Sequence, residues 1–278
     1  MSDETKMATL ADRIPGHSVM EELLRSQAVT GPRGTLVRVF GVSPLSADEQ
    51  SWYSGALGER TVGRMLTGLD ENWTVLHAIP VGNGTSDIDH VIIGPGGVFT
   101  VNTKHHPGQR VWVAPHTFMV SGQQQPYLRN SEHEAERATK KLYSVLPAGL
   151  AAVPVIAVVD AKAITIKERP ATVVVLNARS LVRWLRKRPV VLDAGQVASI
   201  LALAKLPSTW HSSPAEPTDA VTLARGFDAL HREVLQARTR RLIWAGAFVA
   251  VLVAAMLALA PQIGHLVTGL LSSLTLGG

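Results

Sequence analysis

Residues 87–105 read DIDHVIIGPGGVFTVNTKH, in which two β-branched runs, Ile88 to Ile93 and Val98 to His105, are joined by the turn formers Gly94-Pro95-Gly96-Gly97. This pattern predicts an antiparallel hairpin. Side chains alternate along a strand, so Asp87, Asp89, Val91 and Ile93 share a face of the first run, and Val98, Thr100, Asn102 and Lys104 share one of the second. With the pleats in phase, Asp89 meets Asn102 and Lys104 at the open end, away from the turn. The turn lacks the Lys-Ser/Thr of a phosphate loop, and no helix follows it.

Upstream, Ser46-Ala47-Asp48-Glu49 forms a capping box and predicts a helix from about residue 47 to 68. On a 100° wheel centred on Glu59, the residues Trp52, Gly55, Ala56, Val62, Gly63 and Leu66 fall within about 60°. A carboxylate in the middle of an apolar stripe needs a cation or donors to offset its desolvation. Trp73 to Ile79 and Arg110 to Ala114 read as further strands, and Ser131 to Leu146 as a helix. Val153 to Val159 and Ala171 to Leu176 are unbroken apolar runs of the kind buried on both faces. Helices fit 178–187 and 194–206. The order helix, three strands, helix, strand describes an α/β or α+β domain, a mixed central sheet flanked by helices.

The chain has 278 residues, 27 Lys+Arg against 22 Asp+Glu, and no cysteine, which excludes disulfide frameworks, thiolate metal sites and thiol nucleophiles. Every Lys, Arg, Asp and Glu lies at or before Arg241. Leu242 to Ala260 is a 19-residue stretch without charge, and at about 1.5 Å per residue it approaches the roughly 30 Å hydrocarbon core. A single transmembrane helix is expected there, with Trp244 as interfacial anchor. Arg232, Arg238, Arg240 and Arg241 precede it and nothing basic follows, which places the N-terminal part on the cytoplasmic side of the cell membrane. The first residues, MSDETKMATLADRIPGHS, lack an apolar core, so neither a signal peptide nor an earlier span is expected. The expected organisation is an N-terminal arm of limited order over 1–45, a domain over 46–206, and a Pro/Ser-rich linker over 207–220. A juxtamembrane helix over 221–241, the span over 242–260 and an apolar tail over 261–278 complete it.

Asp89, Asn102 and Lys104, joined by Glu59 if its helix packs on their sheet face, could hold Mg²⁺ with several of its waters while the lysine orients an attacking water. That is the logic of metal-dependent phosphodiester hydrolysis, although the same spacing also produces surface ion pairs. His105 and His106 are adjacent on a strand and point to opposite faces, so they cannot share an ion. With His77 and His90 they read as a solvated strand end. Arg179, Arg183, Arg186, Lys187 and Arg188 form a basic run that suits a solvated helix face, a phosphate backbone or anionic lipid.

The ordered series Gly58-Glu59-Arg60-Thr61-Val62, Trp73-Thr74-Val75-Leu76-His77, Asp87-Ile88-Asp89-His90-Val91, Gly94-Pro95-Gly96-Gly97-Val98-Phe99, Thr103-Lys104 and Gly108 resembles the nuclease-related domain (NERD) family. The likeness covers about residues 55 to 160 and is strongest from 58 to 108. It implies a restriction-endonuclease-like fold of the PD-(D/E)xK type, with Glu59 as the acidic helix position, Asp89 as the metal-binding aspartate and Lys104 as the catalytic lysine. Where that pattern has Glu or Asp two residues before the lysine, this chain has Asn102. An amide oxygen can coordinate a cation, but it brings no negative charge and cannot act as a base. The resemblance therefore implies an Mg²⁺-dependent nuclease acting on nucleic acid with a weakened site at Glu59, Asp89, Asn102 and Lys104, and the uncharged stretch adds the membrane anchor. The alternative is a catalytically inactive module that binds nucleic acid or a protein partner.

Overall fold

The computed structural model describes residues 10–31, 33–82, 86–211 and 218–275, from residue 262 on as backbone only. The described residues of 1–29 and 47–227 form one compact unit, and those of 30–46 with 228–278 form a second. The first begins with helix α1 (His17–Thr30); α2 (Thr35–Val39) belongs to the second unit, and α3 (Ala47–Leu66) returns to the first. Three antiparallel strands follow, β1 (Thr74–Pro80), β2 (Asp87–Gly94) and β3 (Gly97–His105). The hairpin closes at Gly94↔Gly97 as the sequence predicts. Its turn is tucked in: Val191 and Leu192 both donate their N–H to Pro95 O, and a Cβ on Gly94 would lie 2.4 Å from the Trp73 ring.

Next come β4 (Arg110–Ala114), β5 (Thr117–Val120), β6 (Gln123–Gln125), α4 (Tyr127–Leu142), β7 (Val153–Val159), β8 (Ala163–Ile166) and β9 (Val174–Asn177). Strand β7 lies parallel to both β3 and β9, giving a five-stranded mixed sheet in the order β1-β2-β3-β7-β9. Strand β4, expected from the sequence, joins β6, β5 and β8 in a second sheet of order β6-β5-β4-β8; those three are only three or four residues long and carry too few alternations to register. On one face of the large sheet Phe99, Val101, Val155, Ala157 and Val159 pack with Val62 and Leu66 of α3. On the other, Val98, Val91 and Ile93 pack with Ala135, Ala138 and Leu142 of α4, while Ile156 and Val158 meet Val111, Val113 and Phe118 of the small sheet. Thus β7 is buried on both faces, as its unbroken apolar run predicts.

Two expectations change. Residues 17–30 are not a loose arm but helix α1, with Met20 and Leu23 fully buried; its apolar stripe is too short to stand out in the sequence. The stretch read as a linker is packed at its start, where α7 (Pro207–Trp210) buries Trp210 and its Nε1 donates to Ala204 O at 2.8 Å; residues 212–217 lie outside the described residues. Between β9 and α7 stand α5 (Leu181–Arg186) and α6 (Ala194–Ala204), the latter closed by a capping box of Asp193 and Gln196. A final helix, α8 (Ala220–Thr275), is continuous through Pro261. It contains a stretch of mean hydropathy 2.6, none of it buried, that is long enough to cross a membrane.

Candidate functional site

The ladder between β2 and β3 runs from Gly94↔Gly97 only as far as His90↔Val101. Beyond that pair β3 stays with β7 to His105↔Val159, while β2 remains with β1 to Asp87↔Pro80. The strands therefore part in a fork, and Asp89 Oδ2 accepts the Thr103 N–H at 2.6 Å where a ladder bond would have been. Opposite Asp89 on β1, fully buried Ala78 is skipped in the register and has φ of 48°, a left-handed conformation that costs a non-glycine residue about 1–2 kcal/mol. Strict alternation fails here: Ile88 and Val91, of opposite parity, join the same apolar cluster.

Each predicted site residue borders this fork. Glu59 is 4% exposed, although α3 packs on the face of Phe99, Val101 and Thr103, opposite to the one that carries Asn102 and Lys104. It feels the charges of Asp89, Asp87 and Lys104 across the fork, where no β2–β3 ladder intervenes, rather than by sharing their face as the sequence suggested. Gly58 makes this possible, since a Cβ there would lie 2.8 Å from His105 Cβ. Burial, then the charges of Asp89 and Asp87, push the Glu59 carboxyl well above its usual range, against a lowering by Lys104. Burial and Asp89 push Asp87 up to about 6, with Ser18 and Arg13 opposing. Asp89 is also raised, by burial, against Lys104 and the Thr103 N–H.

The sequence reading missed two residues of α4. Glu134 Oε1 accepts the Asn102 Nδ2 hydrogen at 2.7 Å. Burial and then Asp89 push this carboxyl up to about 7. Tyr127 presents its ring 4.7 Å from Lys104 Nζ and is held between Phe118, edge-on at 5.1 Å, and His106, stacked at 5.8 Å. Like Glu59, Glu134 belongs to an apolar helix face: it directly precedes Ala135 in the buried stripe Leu128, Ser131, Ala135, Ala138 and Leu142. Asn102 therefore has a carboxylate bonded to it from another element.

Among the described residues, Glu59 Oε2, Asp87 Oδ2, Asn102 Oδ1 and Glu134 Oε2 are buried oxygens without a hydrogen-bond partner. Unpartnered buried acceptors and crowded carboxyls are what a cation would satisfy. An all-oxygen donor set fits a hard ion such as Mg²⁺. No three His, Asp or Glu side chains among the described residues are grouped for direct ligation of one ion.

The histidines do not form a solvated strand end. Half-buried His77 and fully buried His90 pair with Nδ1 atoms 2.8 Å apart, and burial lowers His77 to about 4 and His90 well below the usual imidazole range. His105 and His106 do point to opposite faces: His105 Nδ1 lies 2.9 Å from Ser54 O on α3, whereas His106 stacks on Tyr127 of α4. In the basic run, Arg186 donates to Gly68 O and Arg188 lies 4.4 Å from the Trp184 ring centroid, so packing engages part of it.

Residues 54–160, which hold the fork with Glu59, Asp87, Asp89, Asn102, Lys104 and Glu134, match the family model of the nuclease-related domain. An uncharacterized protein of Bacillus anthracis is 42% identical over 60 residues, 20% of this chain and 28% of that protein, so the chain spans under a third of that relative's length. No solved structure matches the chain. The helix, three strands, helix and strand of the central sheet are consistent with the PD-(D/E)xK type of fold, and over residues 54–160 the chain carries a nuclease-related domain (NERD).

Proposed function

We propose that this protein is a nuclease-related phosphodiesterase, held at the cytoplasmic face of the cell membrane by α8, that hydrolyses nucleic acid at the fork with Mg²⁺. The observation that carries the reading is that Glu59 and Glu134, each with a buried oxygen that lacks a hydrogen-bond partner, both feel the charges of Asp89, Asp87 and Lys104, with Asn102 bonded to Glu134. Glu59, Asp89 and Asn102 would hold the ion, with Glu134 bonded to the amide of Asn102. A bound divalent cation would supply positive charge to the phosphoryl oxygens and acidify a water. Lys104, braced by Tyr127, offsets charge that develops on the phosphate and orients the attacking water. Glu134, whose carboxyl is poised near neutrality, can take the proton of that water. It would thereby serve as the base that Asn102 cannot be. The arginines before Leu242 and the uncharged stretch that follows support the membrane orientation.

The test uses the full chain in detergent micelles or nanodiscs. Calorimetric titration of Mg²⁺ and Mn²⁺ should show binding that Asp89→Ala removes, and single- and double-stranded DNA and RNA should be cut only with the cation. Full cleavage by both Asp89→Ala and Lys104→Ala would overturn the mechanism. Cation-independent binding of nucleic acid without cleavage would instead identify a silent module, the reading that Asn102 favours.

A further inference from the structure

Residues 33–46 contain no group of the fork, yet they hold a dense set of exposed apolar side chains. Leu36 is 72% exposed, Phe40 and Val42 are each 51%, and Val37 and Val39 are also exposed. Five such residues within seven positions form a patch of the kind that marks an interaction surface. The segment is fixed to α8 at the point where charge gives way to apolar helix. Phe40 packs 5.1 Å from the Trp244 ring, Trp244 Nε1 donates to Val39 O at 2.9 Å, and Arg240 Nη1 donates to Arg38 O at 2.9 Å. Gly41, with φ of 71°, lies so close that a Cβ would come within 2.4 Å of Ala237 O. The contact is therefore made by backbone and bulky rings at one level of the helix, residues 237–244.

The charge of this unit is one-sided. Arg33, Arg38, Arg232, Arg238, Arg240 and Arg241 stand against Asp228 and Glu233 alone, whereas the whole chain is only +5. Arg33, Arg38 and Arg240 line one cleft with Glu233 and Gln236. An apolar patch, two aromatic rings and a cluster of arginines at the mouth of an uncharged helix match the layers of a bilayer surface, where acyl chains, interface and anionic phosphates follow one another within a few ångströms.

We propose that residues 35–42 are an interfacial membrane seat: Leu36, Val37, Val39, Phe40 and Val42 lie in the upper acyl layer, and Arg33, Arg38 and Arg240 hold the phosphates of anionic lipids. The inference rests on reading α8 as a span. It gives the chain a second membrane contact, made by a segment distant from the span in sequence.

The absence of cysteine allows a direct test. Leu36→Cys, Val190→Cys and Val251→Cys are each made in the full chain, labelled with the polarity-sensitive dye NBD, and reconstituted in phosphatidylcholine bilayers with and without phosphatidylglycerol. Val190, 76% exposed on the compact unit that carries the fork, reports water, and Val251, inside the uncharged stretch, reports the span. The seat predicts blue-shifted emission at Leu36, several-fold less iodide quenching than at Val190, and stronger quenching by lipids with a doxyl group near the headgroup than deep in the acyl chain. Phosphatidylglycerol should enhance this, Arg33→Gln with Arg38→Gln should remove the enhancement, and the double lysine variant should keep it. Iodide quenching at Leu36 equal to that at Val190, with Val251 protected, would overturn the seat and leave the span standing. Iodide access at Val251 as well would overturn both readings. Protection of Leu36 from iodide and doxyl lipid alike would identify a protein contact, such as a second copy, and would also overturn the seat.

Discussion

The two ends of the β2–β3 hairpin are built from the same strands and do opposite things. At the turn, Ile92, Ile93, Val98 and Phe99 are almost fully buried and the ladder is complete. At the fork the ladder stops, and Asp89, Asn102 and Lys104 stand among carboxyls whose protons are held by burial and mutual repulsion. The closed end supplies apolar burial, while the open end consumes it by keeping polar atoms unsatisfied.

Perturbing each end separately shows whether this division holds. Phe99→Ala should cost about 3–5 kcal/mol in denaturant unfolding, with unchanged Mg²⁺ affinity in the molecules that stay folded; a parallel loss of affinity would show that the ends are not independent. Lys104→Ala should reduce cleavage about 10²–10³-fold with little change in the unfolding midpoint, and a large midpoint shift would make the lysine structural. Gly94→Ala drives a methyl into Trp73 and should cost about 1–3 kcal/mol at the closed end, again without a change in cleavage per folded molecule.

The last prediction concerns pH. Glu134 and Asp87, raised to about 7 and about 6, bind protons more tightly in the folded than in the unfolded chain. Their contribution to stability is therefore fully present below the unfolded carboxylate range of about 4 and is lost as pH rises through the folded values. Without cation the unfolding midpoint should fall across that window, Glu134→Gln should flatten part of the slope, and Mg²⁺ should oppose the fall by favouring the ionised site. A midpoint that rises with pH in the absence of cation would contradict the crowded-carboxyl description.

The hairpin, its open end, the apolar setting of Glu59 and the order of the central strands were legible in the sequence because each rests on a period, of 2.0 or 3.6, sustained over several residues. Glu134 obeys the same rule, but the helix over 131–146 was read only for its extent and not for what its apolar face carries. The conformation of Ala78 had no signal, since alanine carries no mark of a left-handed backbone. Helix α1 and the short strands β5, β6 and β8 escaped because their patterns are too brief to outweigh the loop formers around them. The face on which α3 packs was beyond periodicity altogether, because a wheel shows which side of a helix is apolar and not which side of a sheet it meets.

Gly58 gives the fork a gauge. Helix α3 rests on β3 with only a hydrogen atom between its backbone and the side chains of Thr103 and His105. The depth to which Glu59 reaches is thus fixed by contact rather than by a flexible side chain. A methyl at this one position would act as a shim under the helix, drawing back the carboxylate beside it without altering the identity of any charged residue of the fork.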